Sequence, residues 1–334
     1  MNRSNRYIPA LLIGLILLIV MFIADLSLGS AKIPVSDILI ILMGKHGVSE
    51  VHSNIIWTIR LPKALTALLA GAGLSFAGLL TQTLFRNPLA GPDVLGLSMG
   101  ASLAVALTIL AGFGSGVWSI AMASAVGAAG VFALVMMVSR KIASHSSLLV
   151  VGLMIGALAS SVIGILQYLS RADDLQLYTI WTMGNLTSAN YSELLILVIF
   201  IGTAFAVSLA SVKSLNAWVL GERYFQAMGM NVMATRWKAL LATCLITGCI
   251  TAFCGPISFV GIAVPHFVKR IFPTNNHQQL IPLTVIIGAV FLLFCDVLTA
   301  LPSSEIMLPI NAATALFGAP VIIWIIIRSR KEFY

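Results

Sequence analysis

An all-α, polytopic membrane fold with about ten spanning helices is predicted by three features of the sequence. Of its 334 residues, 59% are hydrophobic and 9% charged, and the mean hydropathy is +1.03, which is the composition of a lipid-embedded chain and excludes an ordinary soluble globule. A bilayer core about 30 Å thick needs roughly 20 apolar residues per helix, and uncharged runs of that order recur at 7–24, 64–85, 94–139, 142–170, 194–212, 239–268, 271–295 and 306–327. The cations are the third feature, because they segregate. The formal net charge is +8. Arg3, Arg6, Arg86, Arg140, Lys141, Lys213, Arg223, Arg236, Lys238, Lys269, Arg270, Arg328, Arg330 and Lys331 fall to one side, against Lys32, Lys45, Arg60, Lys63 and Arg171 on the other. By the positive-inside rule the first side, with both termini, is cytoplasmic. The basic charge therefore reflects topology and gives no nucleic-acid signal.

Taken in order, the first span covers 8–24; it is longer than the apolar core of a signal peptide and no small-residue cleavage site follows it. An external segment, 25–59, carries Pro34, Asp37 and an apolar patch at 38–43. The second span, 61–85, opens on Arg60-Leu61-Pro62-Lys63, with proline in a first turn where its missing N–H is not needed. Its small-residue centre, AGAGLSFAG, permits close helix approach in lipid. A tight turn at 86–93 leads to the third span, 94–111, with Gly96 and Gly100 at GxxxG spacing. One helix of about 46 residues would reach roughly 69 Å, so Gly112, Gly114 and Gly116 divide the long run, and the fourth span is 117–138. The fifth, 148–169, repeats small residues at Gly152, Gly156, Ser160 and Gly164. That stripe suits helix packing, or else faces a translocation path or subunit interface. A second external segment, 171–192, contains Asp173, Asp174 and a short helix over 177–183; the sixth span is 193–211.

The longest polar interruption on the basic side is 213–238. It reads as two short helices joined near Gly221, the first capped by Ser214 and the second ended by Gly229. Trp218, Leu220, Phe225 and Met228 give these helices apolar bulk outside the lipid, suited to a membrane surface or to a groove in a soluble partner. Spans at 237–254, 257–271 (broken from the previous one at Cys254-Gly255-Pro256), 280–299 and 307–327 follow, with an external turn at 302–305. Lys63-Ala64-Leu65 and Lys238-Ala239-Leu240 open two similar small-residue helices from opposite sides, as an internal inverted repeat would. The whole chain, 1–334, is read as one transmembrane domain.

Several chemistries have no motif here. There is no GxxxxGK[ST] to cradle ATP phosphates and no HExxH. Mid-membrane ionisable groups, the mark of an ion-coupled carrier, are scarce. Asp296, at the external end of the ninth span with Glu305 just beyond, is expected to cap or pair. His266 reads as a structural histidine beside Pro265. His46, His52, His145 and His277 fall in loops and form no ligand set. Cys244, Cys249, Cys254 and Cys295 lie in apolar runs and read as packing residues. No catalytic residue, metal or cofactor of the chain's own is expected.

Longer motifs add a resemblance. Arg60-Leu61-Pro62-Lys63, GAGLSFAGLLTQTLFRNPLAGPDVLGLSMGAS at 71–102, LGERYFQAMGM at 220–230, CGPISFVGIAVPHFVKRIF at 254–272 and LFGAPVIIWIII at 316–327 resemble the FecCD-type (BtuC-like) permease subunits of bacterial ABC importers, which carry ferric siderophores, haem or cobalamin. The resemblance implies a second permease subunit (a copy or a paralogue), two cytoplasmic ABC ATPases that hold the ATP and Mg, and a soluble or lipid-anchored substrate-binding protein. It implies ATPase coupling through Gly221, Glu222, Arg223, Ala227, Met228 and Gly229, and binding-protein docking at Arg60 and Lys63. It also implies a cytoplasmic gate at Asn87, Leu89, His145 and Ser146, and a path lined by Gly152, Gly156, Ser160 and Gly164. An iron chelate is the expected cargo, in the bacterial cytoplasmic membrane. The chain departs from the family pattern at Ala300, Ser258 and Asn311, where relatives carry arginine, glycine and glycine.

Overall fold

The computed structural model describes residues 7–329 apart from 30, 32, 45–47, 115, 142–144, 188–189 and 301–307. Lys32, Lys45, His46, the 302–305 turn and the terminal cations Arg3, Arg6, Arg330 and Lys331 lie outside the described residues, as do the side chains of His145, Ser146 and Arg328. In chain order the helices are α1 (Tyr7–Ser27), α2 (Val35–Leu42), α3 (Glu50–Ile55), α4 (Leu61–Phe85), α5 (Leu97–Leu110), α6 (Val117–Ser139), α7 (His145–Leu169), α8 (Ala172–Thr182), α9 (Tyr191–Leu209), α10 (Val212–Val219), α11 (Glu222–Ala227), α12 (Val232–Cys254), α13 (Val260–Ile271), α14 (His277–Thr299) and α15 (Ile310–Ser329). A π-helical turn, Ile56–Arg60, joins α3 to α4, and a short 3-10 turn, Asp93–Leu95, precedes α5.

Among the described residues, seven helical segments are long and apolar enough to cross a membrane: α1, α4 with the helix before it, α6, α7, α9, α12 and α14. Counted with the shorter apolar α5 and α15 and the 12-residue α13, they give about ten candidate crossings, and α2, α3, α8, α10 and α11 lie in the connections. Alternation along the chain puts the first and last described helices on the same face as α10 and α11, here called the inner end. Lys63, Asp296 and the end of α12 mark the outer end.

Local chemistry sets the boundaries, and several differ from those expected. Gly96 caps α5 with φ 76°, so it stands before the helix rather than within it, and Gly112 closes the helix with φ 77°. The external helix is α8, beginning at Ala172: Asp173 and Asp174 occupy its first turn, where the helix dipole favours acids. Asn190 and Glu193 form a reciprocal capping box that starts α9 at Tyr191. Asn231 accepts from the Ala234 N–H and starts α12 five residues earlier than its first apolar run suggests. Gly255 (φ 72°) and Phe259 (φ 69°) break α12 from α13, which begins at Val260.

Nearly all of α4 is buried. It packs against α13 and α14, while α12, the other central helix, packs against α5, α6 and α9. Each central helix thus contacts outer helices from the opposite half of the chain, and α4 and α12 also contact each other. Glycine permits this closeness. A Cβ on Gly71 would run into the Gly288 backbone, and one on Gly78 into Gly261. Ser75 Oγ donates to the Thr284 carbonyl across the first of these contacts at 3.0 Å. The four cysteines are buried and free, inside helices as expected.

Candidate functional site: a coupling element, a gate turn and an outer charge cluster

At the inner end, α10 and α11 form the two-helix element foreseen for 213–238. Gly221 makes the corner with φ 122°, a region that side-chain-bearing residues rarely enter. The first helix begins at Val212, with Ser211 at its cap and no side-chain capping bond, so Ser214 lies inside it and does not cap it. The second helix ends on Gly229, as expected. Gly229 N–H donates to Gln226 O at 2.9 Å and Met230 N–H to Phe225 O at 3.3 Å, which together form a Schellman stop. Asn231 then caps α12 at once.

The apolar residues of this element divide into two sets. Leu220 (64% exposed), Tyr224 (70%) and Met228 face outward. Trp218 and Phe225 do not belong to the presented surface, because both are fully buried against the chain's own helices. Trp218 Nε1 donates to Leu84 O at 2.9 Å, and Arg86 Nη2 donates back to Trp218 O at 3.0 Å. Phe225 packs edge-on to the indole with centroids 5.0 Å apart. The Arg236 guanidinium lies 5.9 Å from the indole centroid and reaches Glu222 Oε1 at 3.4 Å. Asn216 Oδ1 accepts from His277 N–H at 2.8 Å and lies 2.7 Å from His277 Nδ1; His277 Nε2 lies 2.9 Å from Thr83 Oγ1. His277 is therefore a buried first residue of α14 and not a loop residue. Together these bonds fasten the element to α4, α12 and α14. Of these residues only Asn216 went unremarked in the sequence; Trp218 was expected on the presented side and His277 in a loop, although Val212, Leu215 and Trp218 at three-residue spacing mark an inward face.

The gate expected at Asn87 and Leu89 lies on the turn after α4. Arg86 adopts a left-handed conformation (φ 47°), Asn87 Oδ1 accepts from Leu89 N–H at 2.9 Å, and Leu89 is exposed. His145 and Ser146 open α7. The small-residue stripe of α7 divides in the middle. Gly152 is wedged under the Asp93–Leu95 turn, where a Cβ would lie 2.5 Å from Val94 O, and Gly156 sits over Met99. Ser160 is exposed, and Gly164 has nothing within 4 Å of where its Cβ would be.

At the outer end, Arg60 and Lys63 are engaged within the chain. Arg60 is 7% exposed and donates to Leu26 O at 2.7 Å, Ser27 O at 3.0 Å and Ala31 O. It thereby supplies a cation and donors to the carbonyl end of α1. Lys63 Nζ pairs with Asp296 Oδ1 at 2.9 Å, with side chains 14% and 2% exposed; Asp296 pairs as expected. Lys63 also lines an outer recess of about 280 Å³ with Asn185, Thr187 and Thr299. Beside it, the departures Ser258 and Asn311 meet: the Ser258 N–H donates to Asn311 Oδ1 at 3.2 Å.

A family model described as the FecCD transport family matches residues 17–328. The chain belongs to the FecCD transport family. Relatives include the hemin transport system permease protein HmuU of Yersinia pestis, 30% identical over 98% of this chain and 99% of the relative. The molybdate import system permease protein MolB of Haemophilus influenzae is 32% identical over 94% of each. The vitamin B12 import system permease protein BtuC of Klebsiella pneumoniae is 32% identical over 98% of this chain and 96% of the relative. A solved structure assigned to a metal-chelate type ABC transporter, in an inward-facing conformation, superposes with a TM-score of 0.85 at 28% identity, covering 95% of this chain and 98% of that one. This FecCD chain is an integral membrane protein and an ABC importer permease. The relatives named here are transport permeases for three different cargoes.

Proposed function

We propose that this permease carries a metal chelate, a ferric siderophore first among them, from an external binding protein into the cytoplasm. It works beside a second permease subunit and is driven by two separate ABC ATPases that hold the ATP and Mg. In this reading the inner end and both termini face the cytoplasm of a bacterial cell, which the cation distribution supports. The carrying observation is the α10–α11 element. Its outer side offers Leu220, Tyr224 and Met228 to a partner, while its inner side is fixed to α4, α12 and α14. A partner that closes would then move helix ends and favour one orientation of the permease pair, through contacts that differ between states. The chelate reading is supported by the metal-chelate type neighbour and the hemin relative. Docking is assigned to the outer recess lined by Lys63, Asn185 and Thr187, where an acidic side chain of the binding protein would have to share Lys63 with Asp296. Such pairs guide encounter more than they supply affinity.

Leu220→Asp keeps the buried face intact and should abolish ATP-dependent uptake at normal expression; undiminished uptake would remove the coupling role. Transport by proteoliposomes lacking the ATPase would instead indicate a channel or ion-coupled carrier. For the cargo, deletion cells complemented with this gene are offered ferric siderophores, haem, cobalamin and molybdate in parallel. Rescue of the ferric chelate alone is expected. Rescue of cobalamin or haem alone keeps the mechanism and replaces the substrate.

A further inference from the structure

We propose that the inner end of this permease holds a phosphate oxyanion between the gate turn and the coupling element. A recess of about 270 Å³ lies there, bounded by the end of α4, the turn after it, α10, the end of α13 and the start of α14. That is below the roughly 300 Å³ at which pockets for drug-sized ligands begin, so it suits a small group. Its lining includes two cations, Arg86 and Lys269, together with Asn87, Asn275 and His277.

The recess is rich in donors and poor in acceptors. Among the described residues no carboxylate pairs with Arg86 or Lys269. Lys269 Nζ, with up to three donors, reaches one neutral acceptor, Gln82 Oε1, at 3.2 Å. Gln82 is held in that orientation because its Nε2 donates to Ile262 O at 3.0 Å. Asn87 uses its oxygen on the Leu89 N–H, which leaves the amide nitrogen as a donor. Both ring nitrogens of His277 are engaged by Asn216 and Thr83, so the ring offers no open acceptor. A concave site walled by protein strengthens the field of such cations and concentrates anions. Basic pockets between spanning helices at the membrane boundary suit lipid phosphates, and free phosphate offers the same oxygens. Bound there, the oxyanion joins the Arg86–Leu89 turn to α10 and adds a charged tie between gate and coupling element.

The test uses the full chain purified in uncharged detergent and is independent of transport. Native mass spectrometry counts adducts with phosphatidylglycerol and phosphatidylcholine, and thermal unfolding is followed with sodium phosphate against sodium chloride at equal ionic strength. If the oxyanion is a lipid's, phosphatidylglycerol adducts fall at least tenfold in Arg86→Gln, Lys269→Gln and Asn275→Asp, while phosphatidylcholine adducts do not change. If it is free phosphate, the melting temperature of the wild type rises with phosphate and the three variants lose that rise. Should Lys269→Gln fail to fold, Arg86→Gln and the exposed Asn275→Asp carry the test. Equal adducts and equal melting behaviour in wild type and variants would overturn the proposal. So would loss of the anion from wild-type protein when its ATPases assemble on it, because a partner carboxylate would then fill the recess.

Discussion

Trp218 ties several inner-end elements together. It donates to the last turn of α4, accepts from Arg86, and lies between Phe225 and the Arg236 guanidinium. Trp218→Ala should lower stability by about 3–5 kcal/mol, the range for large aromatic truncations in packed cores, seen as a fall in melting temperature in detergent. Leu220→Ala, on the exposed side, should leave the melting temperature nearly unchanged. The Lys63–Asp296 pair gives a second expectation. Lys63→Met strands a buried carboxylate and should cost about 3–5 kcal/mol, whereas Lys63→Met with Asp296→Leu should recover most of that loss. Equal melting temperatures for the single and double variants would show that the pair is not isolated from its neighbours. At this scale the sequence was partly legible. It marked Asp296 as a pairing residue because a lone acid in an apolar run needs a partner. It left the partner unnamed, because pairing across distant helices has no local signature. For the same reason Arg60 and Lys63 read only as docking positions for a binding protein, with no sign of the α1 carbonyls and the Asp296 carboxylate that engage them.

The helices themselves were the most legible feature, since apolar length and glycine breaks are local signals. The starts of α9 and α12 were missed by two to five residues because polar caps, Asn190 with Glu193 and Asn231, precede the apolar runs. The stripe on α7 shows why spacing alone did not decide between packing and path: one periodicity served both ends differently. Gly152→Val should clash with the Asp93–Leu95 turn and reduce folded yield, because even a Cβ has no room there. Gly164→Val meets open space and should preserve folded yield. If Gly164 borders the path, uptake of a bulky chelate should slow in that variant while the melting temperature holds. Unchanged uptake would place this end of the stripe against lipid or another subunit.

Across the whole molecule, ten crossings are arranged so that each central helix leans on outer helices from the other half of the chain. The two similar openings at Lys63 and Lys238 hinted at this relation, but only three-dimensional contacts show the exchange. The family motifs marked the coupling element, yet which of its faces looks outward followed from packing. The junction between α11 and α12 has a consequence for how motion passes through the permease. A Schellman stop and an asparagine cap follow each other over Gly229–Asn231, which leaves a short, bonded joint between the two helices. In the proposed coupling role such a joint would serve as a crank: displacement of α11 would reappear as tilt of α12 and not be absorbed as slack. Two glycines inserted between Met230 and Asn231 would introduce backlash. The expected result is a transporter that assembles, binds its ATPase and hydrolyses ATP, but delivers little cargo per nucleotide.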